Sequence, residues 1–315
     1  MSFKYITKFS ALILVTGFSF ICSISAAQSK PTRYCGEEGI WVQVLGSGDL
    51  DLQNDRGAES YLVWKDDRAI LLVNASAGTS ILFDKSNANF SDLQAIVLTQ
   101  TAVEQTSDLA ALLVASRRSY REEPLTILGP TGDEEILSTS EFVTKLLGSD
   151  GPYPSLASLL TVRSPNGYTL RTKDIQAKGI RRWAGFGTEE FILSAIPVNH
   201  GGKPALAWRI DIDNYAIVFA LGFNNQKDIV TEFSKDADVI VFTHALPVGT
   251  VGSPREKFLI PQQMGRIANR ADVRFIILGG RGWRTLGRES RSLTEIETEY
   301  EGTIIFPDDL ECWGL

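Results

Sequence analysis

The chain has 315 residues, of which 43% are hydrophobic and 22% charged, and its formal net charge is −7. This composition predicts an ordinary globular protein with ample core, organised as one large domain. The acidic balance argues against a nucleic-acid partner, because phosphate backbones bind basic surfaces.

The N-terminal residues have the pattern of a secretory signal. Two lysines precede an apolar stretch from Phe9 to about Ile24, and Ser25-Ala26-Ala27 supplies small residues for cleavage. We therefore predict a signal peptide over residues 1–27, a mature chain over 28–315, and a periplasmic or secreted location without a membrane span after signal removal. A membrane anchor is the alternative, but the apolar run is short for a bilayer.

Signal removal would leave two cysteines, Cys35 and Cys312, in a compartment that permits disulfides. We predict that these two cysteines are bonded to each other. Closing so long a loop stabilises a fold by about 5 kcal/mol in the chain-entropy account. Two unpaired, buried thiols are the alternative, because a lone pair of cysteines defines no spacing pattern.

Strand-like and helical segments alternate in the first half, which predicts a layered α/β architecture. In chain order, the predicted elements are strands at 40–45, 60–64, 69–73, 79–83 and 95–98, a helix at 107–117, a strand at 126–128 and a helix at 133–147. Residues 148–187 are richer in Pro, Gly and Ser, and we expect them to form an irregular insertion within the domain.

The second half repeats the alternation of strands and helices. Its predicted elements are strands at 191–198, 205–212 and 216–221, a helix at 226–234, a strand at 239–242, a helix at 261–269, a strand at 273–278, a helix at 293–300 and a strand at 303–306. No repeat of fixed period is visible.

One loop carries the clearest resemblance to a known family. Residues 98–105, Leu-Thr-Gln-Thr-Ala-Val-Glu-Gln, follow an apolar strand-like run and precede a helical pattern. This is where the metallo-β-lactamase superfamily carries its Thr-His-x-His-x-Asp-His motif. Further markers of the family occur in its order: Leu45-Gly46-Ser47-Gly48, Leu72-Val73-Asn74-Ala75, Gly129-Pro130-Thr131-Gly132 and Ile196-Pro197-Val198-Asn199-His200-Gly201.

From about Gly39 to the C-terminus, the chain resembles this superfamily, in particular a ribonuclease Z-like or secreted hydrolase-like branch. The resemblance implies an α/β fold, a four-layer αββα sandwich. It also implies where zinc ligands would lie, and most of those positions carry no ligand here. The resemblance implies seven vestigial metal positions. Gln100, Ala102 and Gln105 stand at histidines of the motif, Glu104 at its aspartate and His200 at the next histidine, while Gly222 stands at the bridging aspartate and Gly280 at the last histidine.

Only His200 keeps a metal-ligand histidine among these positions, and Glu104 is the only other with a hard ligand. Zinc needs imidazole, thiolate or carboxylate donors, and the whole chain contains only two histidines, His200 and His244. We therefore expect no metal and no cofactor, although zinc is expected for the family.

His200 and Glu104 are the remaining candidates for catalysis. A single imidazole beside a vacated pocket is more often a hydrogen-bonded structural residue than a general base. The leading hypothesis is a periplasmic or secreted, zinc-free pseudoenzyme that binds an unknown small molecule or protein. The alternative is a hydrolase with an atypical or metal-free active site around Glu104, His200 and Asp108, and a structural or assembly role is also open.

Overall fold

Two mixed β-sheets form the centre of the protein. The computed structural model describes Met1 and residues 35–52, 54–161 and 167–315. The strands of the first sheet are β1 (Ile40–Gly46), β2 (Ser60–Lys65), β3 (Arg68–Val73), β4 (Ala95–Val97), β5 (Leu125–Pro130), β6 (Leu170–Ile175) and β14 (Cys312–Gly314). Those of the second sheet are β7 (Trp183–Gly187), β8 (Phe191–His200), β9 (Lys203–Ile212), β10 (Tyr215–Ala220), β11 (Val239–Thr243), β12 (Phe275–Gly279) and β13 (Thr303–Ile305).

The strand order is β14-β1-β2-β3-β4-β5-β6 in the first sheet and β13-β12-β11-β10-β9-β8-β7 in the second. Strands β3 to β6 run parallel to one another, as do β10 to β13, whereas the remaining pairings are antiparallel. The helices are α1 (Thr79–Lys85), α2 (Val103–Thr106), α3 (Leu109–Ala115), α4 (Thr139–Leu147), α5 (Ile229–Phe233), α6 (Pro261–Arg270) and α7 (Glu289–Glu297).

Alternation along the strands divides the core into three apolar layers. In β1, Val42 and Val44 belong to the layer between the sheets, whereas Trp41 and Leu45 belong to a layer shared with α1, α3 and α4. The second sheet packs its outer face in the same way against α5, α6 and α7. Because both faces of each sheet are covered, many strands are continuous apolar runs. The predicted α/β class and four-layer αββα sandwich are confirmed.

Hydrogen bonds between the sheets hold the end of β4. The indole Nε1 of Trp208 donates to the Leu98 carbonyl at 3.0 Å, and the Leu206 amide donates to the Thr99 carbonyl at 2.9 Å. The Asn74 side-chain oxygen also accepts the Thr99 amide and hydroxyl, at 2.9 and 3.1 Å. These buried contacts fix the direction in which the chain leaves β4.

The prediction of a strand at 79–83 is wrong, because this segment is helix α1. Thr79, Leu82 and Phe83 are its buried residues, which is helical spacing. The Asp108 carboxylate accepts the Ser80 amide at 2.6 Å and so caps the first turn from a distant part of the chain. A sequence window around α1 does not contain this stabilising contact.

Two further predictions need correction. The helix expected at 133–147 begins only at Thr139, since Ser138 and Glu141 form a capping box that starts α4 there. The expected irregular insertion, 148–187, contributes β6 to the first sheet and β7 to the second. Both are edge strands in which most residues are not fully buried, so they lack the apolar alternation that identifies a strand in sequence.

The N-terminal prediction falls almost entirely outside the described residues, since the structure describes only Met1 of residues 1–34. The described residues from Cys35 onward belong to one compact unit, Pro31–Leu315. None of the helices in the described part of the chain combines the length and the hydropathy needed to span a bilayer.

The predicted disulfide between Cys35 and Cys312 is present, and it joins residues 277 positions apart. Cys312 is buried and begins β14, which pairs with β1 at the edge of the first sheet. The bond therefore ties the segment before β1 to the last strand.

We expect the double substitution Cys35→Ser/Cys312→Ser to lower the free energy of unfolding by about 2 to 5 kcal/mol, because it frees a very long loop in the unfolded chain. Urea unfolding of the variant and of the wild type, with and without reductant, measures the difference. Reductant should destabilise only the wild type. Equal stability of oxidised wild type and variant would contradict a stabilising role for the bond.

Candidate binding site at the strand ends

The predicted site residues lie where several strands end. Gly222 follows β10, Thr243 ends β11 and Gly280 follows β12, and these three strands are parallel neighbours. Gln100 leaves β4 in the opposing sheet, and His200 ends β8. Ligand sites in α/β proteins commonly form beyond the carboxyl ends of parallel strands.

The structure brings Gln100, His200 and Gly222 together. Gly222 has a φ of +53°, and a Cβ atom built on it would lie 3.3 Å from Gln100 Nε2 and 3.6 Å from His200 Nδ1. The position expected to carry a bridging aspartate thus faces a histidine and an amide. The amide stands where the resemblance places another histidine.

His200 is held by backbone groups. Its Nδ1 lies 2.7 Å from the Gly222 carbonyl oxygen, so Nδ1 carries a proton and donates it. Burial lowers the pKa of His200, and the hydrogen bond to Gly222 opposes this effect. The Phe258 ring meets the imidazole edge to face, with ring centres 5.4 Å apart. These contacts favour a structural imidazole over a freely moving general base.

Glu59, directly before β2, occupies the space beside Gly280. Gly280 has a φ of +60°, and a Cβ atom there would lie 2.6 Å from Thr243 Cγ2 and 3.1 Å from a Glu59 carboxylate oxygen. Backbone conformation and close packing therefore both require glycine at this position. The resemblance places a histidine at position 280, and the structure has Glu59 and Thr243 against that glycine instead.

Hydroxyl groups hold the Glu59 carboxylate. The Thr243 hydroxyl donates to one oxygen at 2.7 Å, the Tyr61 hydroxyl donates to the other at 2.8 Å, and the Gly222 amide donates to the Thr243 oxygen at 2.9 Å. Burial raises the pKa of Glu59 to about 7; these hydroxyl donors oppose the rise, and the charge of Asp49 adds to it. Sequence reasoning missed Glu59. The only feature of the sequence that could have identified Glu59 is that this acid stands directly before the apolar run of β2.

A cavity of about 320 Å³ opens beside this carboxylate. Glu104, Gln105 and Gly280, three of the predicted positions, line it together with Glu59 and Phe258. The Phe258 ring contacts the His200 ring as well, so the cavity and the group around Gly222 are neighbours. The structure thus has an open pocket close to the predicted vestigial positions.

Three other residues do not contribute to this cavity. Ala102 precedes α2, where its carbonyl accepts the Thr106 hydroxyl. Asp108 is engaged at the start of α1. The buried His244 hydrogen-bonds Ser292 through Nε2, and burial, followed by the charge of Arg281, lowers the pKa of His244 to about 4.

The side chains around this cavity do not fit a zinc ion. In the described parts of the chain, no three His, Cys, Asp or Glu side chains converge in a way that would hold a metal. A tetrahedral zinc site requires at least three protein donors, and two of the expected ligand positions here are glycines with no side chain. No reaction step through a metal follows from this donor set.

No protein-family model matches the chain. A ribonuclease Z of Alkaliphilus oremlandii is 26% identical over 159 residues, which is 50% of this chain and 47% of that protein. A ribonuclease Z of Clostridium tetani is 25% identical over 175 residues, 55% of this chain and 51% of that protein. The chain thus spans about half the length of these curated relatives.

Solved structures match over more of the chain. The metallo-β-lactamase fold protein YhfI from Bacillus subtilis superposes with a TM-score of 0.67 at 17% identity, covering 87% of this chain and 98% of that one. The short form of human tRNase Z superposes with a TM-score of 0.65 at 15% identity, covering 86% and 98%. Together with the four layers and strand order described above, these similarities show that the chain has the metallo-β-lactamase fold, with ribonuclease Z-like relatives.

Proposed function

We propose that this chain is a periplasmic or secreted pseudoenzyme that holds no zinc and binds its ligand in the 320 Å³ cavity. The observation that carries the proposal is that the positions expected to supply metal ligands hold other groups, beside an open cavity. Gln100 and His200 meet at Gly222, and Glu59 packs against Gly280. A metal ion would find glycines, an amide, a backbone-held imidazole and one carboxylate that already accepts two hydroxyl donors there.

The disulfide supports the location in this proposal. Bonds such as that between Cys35 and Cys312 form and persist in oxidising compartments. The predicted signal peptide points to the same compartment, and the ligand is then an extracytoplasmic small molecule or protein.

A nucleic-acid ligand is disfavoured by charge. Glu59 and Glu104 line the cavity, and the chain as a whole carries a net charge of −7. Phosphodiesters would be repelled by this surface. The similarity to ribonuclease Z proteins therefore supports the fold of this chain, and we do not extend the activity in their name to it.

Metal-free hydrolysis is the second candidate function, and Glu59 favours it. A carboxyl group with a pKa of about 7 is suited to general acid–base chemistry near neutral pH. This active site differs from the one predicted around Glu104, His200 and Asp108, because the Asp108 carboxylate accepts the Ser80 amide of α1 and does not line the cavity. An assay of the purified protein against phosphodiester, ester and lactam substrates, with Glu59→Gln as its control, separates catalysis from binding. Turnover that Glu59→Gln abolishes would establish the hydrolase.

We expect purified protein to contain far less than one zinc ion per chain, even after incubation with zinc and removal of the excess. The reason is that no three donor side chains converge in the part of the chain that the structure describes. Elemental analysis of wild type and His200→Ala provides the measurement. Stoichiometric metal in the wild type that is lost in His200→Ala would overturn the zinc-free assignment.

Glu59 also predicts how stability depends on pH. Its folded-state pKa is raised above the ordinary value, so its stabilising contribution is complete below about pH 4.5 and is lost as the pH rises to about 7. The rise of this pKa from 4.5 to about 7 corresponds, at about 1.4 kcal/mol per pKa unit, to a loss of about 3 to 4 kcal/mol.

We expect Glu59→Gln, which resembles the protonated acid, to remove this loss, so the variant should gain stability over wild type at about pH 8 but not at about pH 5. Urea unfolding at both pH values measures the effect. Glu122→Gln, at an exposed acid that does not line the cavity, is the matched control. The same pH dependence in wild type and Glu59→Gln would show that this carboxyl does not titrate as described.

A further inference from the structure

The cavity has more acidic than basic side chains. Asp49, Glu59 and Glu104 line it, against one base, Arg284. None of the three acids forms a salt bridge within the described residues. The guanidinium of Arg284 lies over the Trp283 ring, 5.1 Å from its centre. The negative charges of this cavity are therefore not neutralised by ion pairs.

The Asp49 carboxyl lies partly buried beside another acid, Asp51. Burial raises the pKa of its carboxyl, and the charge of Asp51 adds to the rise. Among the described residues, Glu59 accepts hydrogen bonds only from hydroxyls, and its pKa is raised by burial and further by the charge of Asp49. A cation entering the cavity would relieve this repulsion, whereas an anion would increase it.

A second and independent feature is an acceptor without a donor. The side-chain oxygen of Gln105 is buried and has no hydrogen-bond partner in the described structure, and Gln105 lines the cavity. A buried acceptor left unpaired is destabilising, so a ligand that donates a hydrogen bond to it would relieve that cost. A quaternary ammonium ion has no N–H group to offer.

The apolar part of the wall indicates the rest of the ligand. Phe258 and Trp283 line the cavity, and the Trp283 side chain is 67% exposed. Aromatic faces attract cations and also pack against hydrocarbon. The volume of about 320 Å³ is at the small end for ligand pockets. The acidic side chains, the unpaired Gln105 oxygen and the aromatic wall together favour a small molecule with an ammonium group and a short apolar part.

We propose that this cavity binds a small protonated primary amine, with its ammonium group accepted by Glu59 and Gln105 and its apolar part against Phe258 and Trp283. This assignment rests on the proposed function, since it names the ligand class of the same cavity. The Arg284 guanidinium then competes with the ligand's ammonium group for the Trp283 ring, and its positive charge also repels the ammonium group.

Three probes of nearly equal shape test the charge requirement by calorimetric titration of the wild type. They are phenethylamine, phenethyl alcohol and hydrocinnamate, at about pH 7.5, where the amine is protonated and the acid ionised. We expect the amine to bind at least about tenfold more tightly than the alcohol, and the anion to show no binding. Equal binding of amine and alcohol, binding of the anion, or no binding of the amine would each overturn the proposal.

Variants locate the binding in the cavity. Glu59→Gln and Glu104→Gln should each weaken amine binding several-fold, whereas Arg284→Ala should strengthen it. Glu104 is exposed, so its variant stays informative if Glu59→Gln fails to fold. Glu122→Gln is the control with unchanged affinity. Amine binding that neither Glu59→Gln nor Glu104→Gln alters would place the ligand elsewhere and refute the assignment.

The outcomes for the ligand class and for the function are separable. Zinc that depends on His200 would refute the proposed function whatever the titrations show. If the protein is zinc-free and binds the alcohol or the anion, and Trp283→Ala weakens that binding, the proposed binding function stands and only the amine is refuted.

Discussion

The cross-sheet contact at the end of β4 is the constraint on which the site depends. The Trp208 indole reaches across the core to the Leu98 carbonyl, and the next peptide group, at Thr99, accepts the Leu206 amide. Both contacts join buried residues, where a lost partner leaves a costly unpaired polar group. Because Gln100 follows Thr99 directly, while β9 pairs with the strand that ends at His200, these bonds align the two sides of the site.

Much of the architecture follows from local pattern, and the failures have specific causes. Strands buried on both faces, such as β11 and β12, are continuous apolar runs that a sequence identifies easily. Helix α1 was mistaken for a strand because its cap comes from Asp108, far along the chain. Strands β6 and β7 were missed because edge positions do not require alternating apolar residues.

The site was predictable only in part. Family order located Gln100, His200 and Gly222, and the structure places these three side by side. The same order contains no hint of Glu59, because its importance comes from lying against Gly280 across more than two hundred residues. In the sequence, Glu59 is only a charged residue before a strand. The folded chain shows that each of its carboxylate oxygens accepts a hydrogen bond from a hydroxyl group.

The packing around Gly280 restricts what this position can carry. An imidazole placed there alone would force a side chain into Thr243 and Glu59, on a backbone conformation that side chains rarely adopt. A donor side chain at position 280 would therefore need compensating substitutions at Thr243 or Glu59. The close contact thus couples three positions on three neighbouring segments, which can change only together.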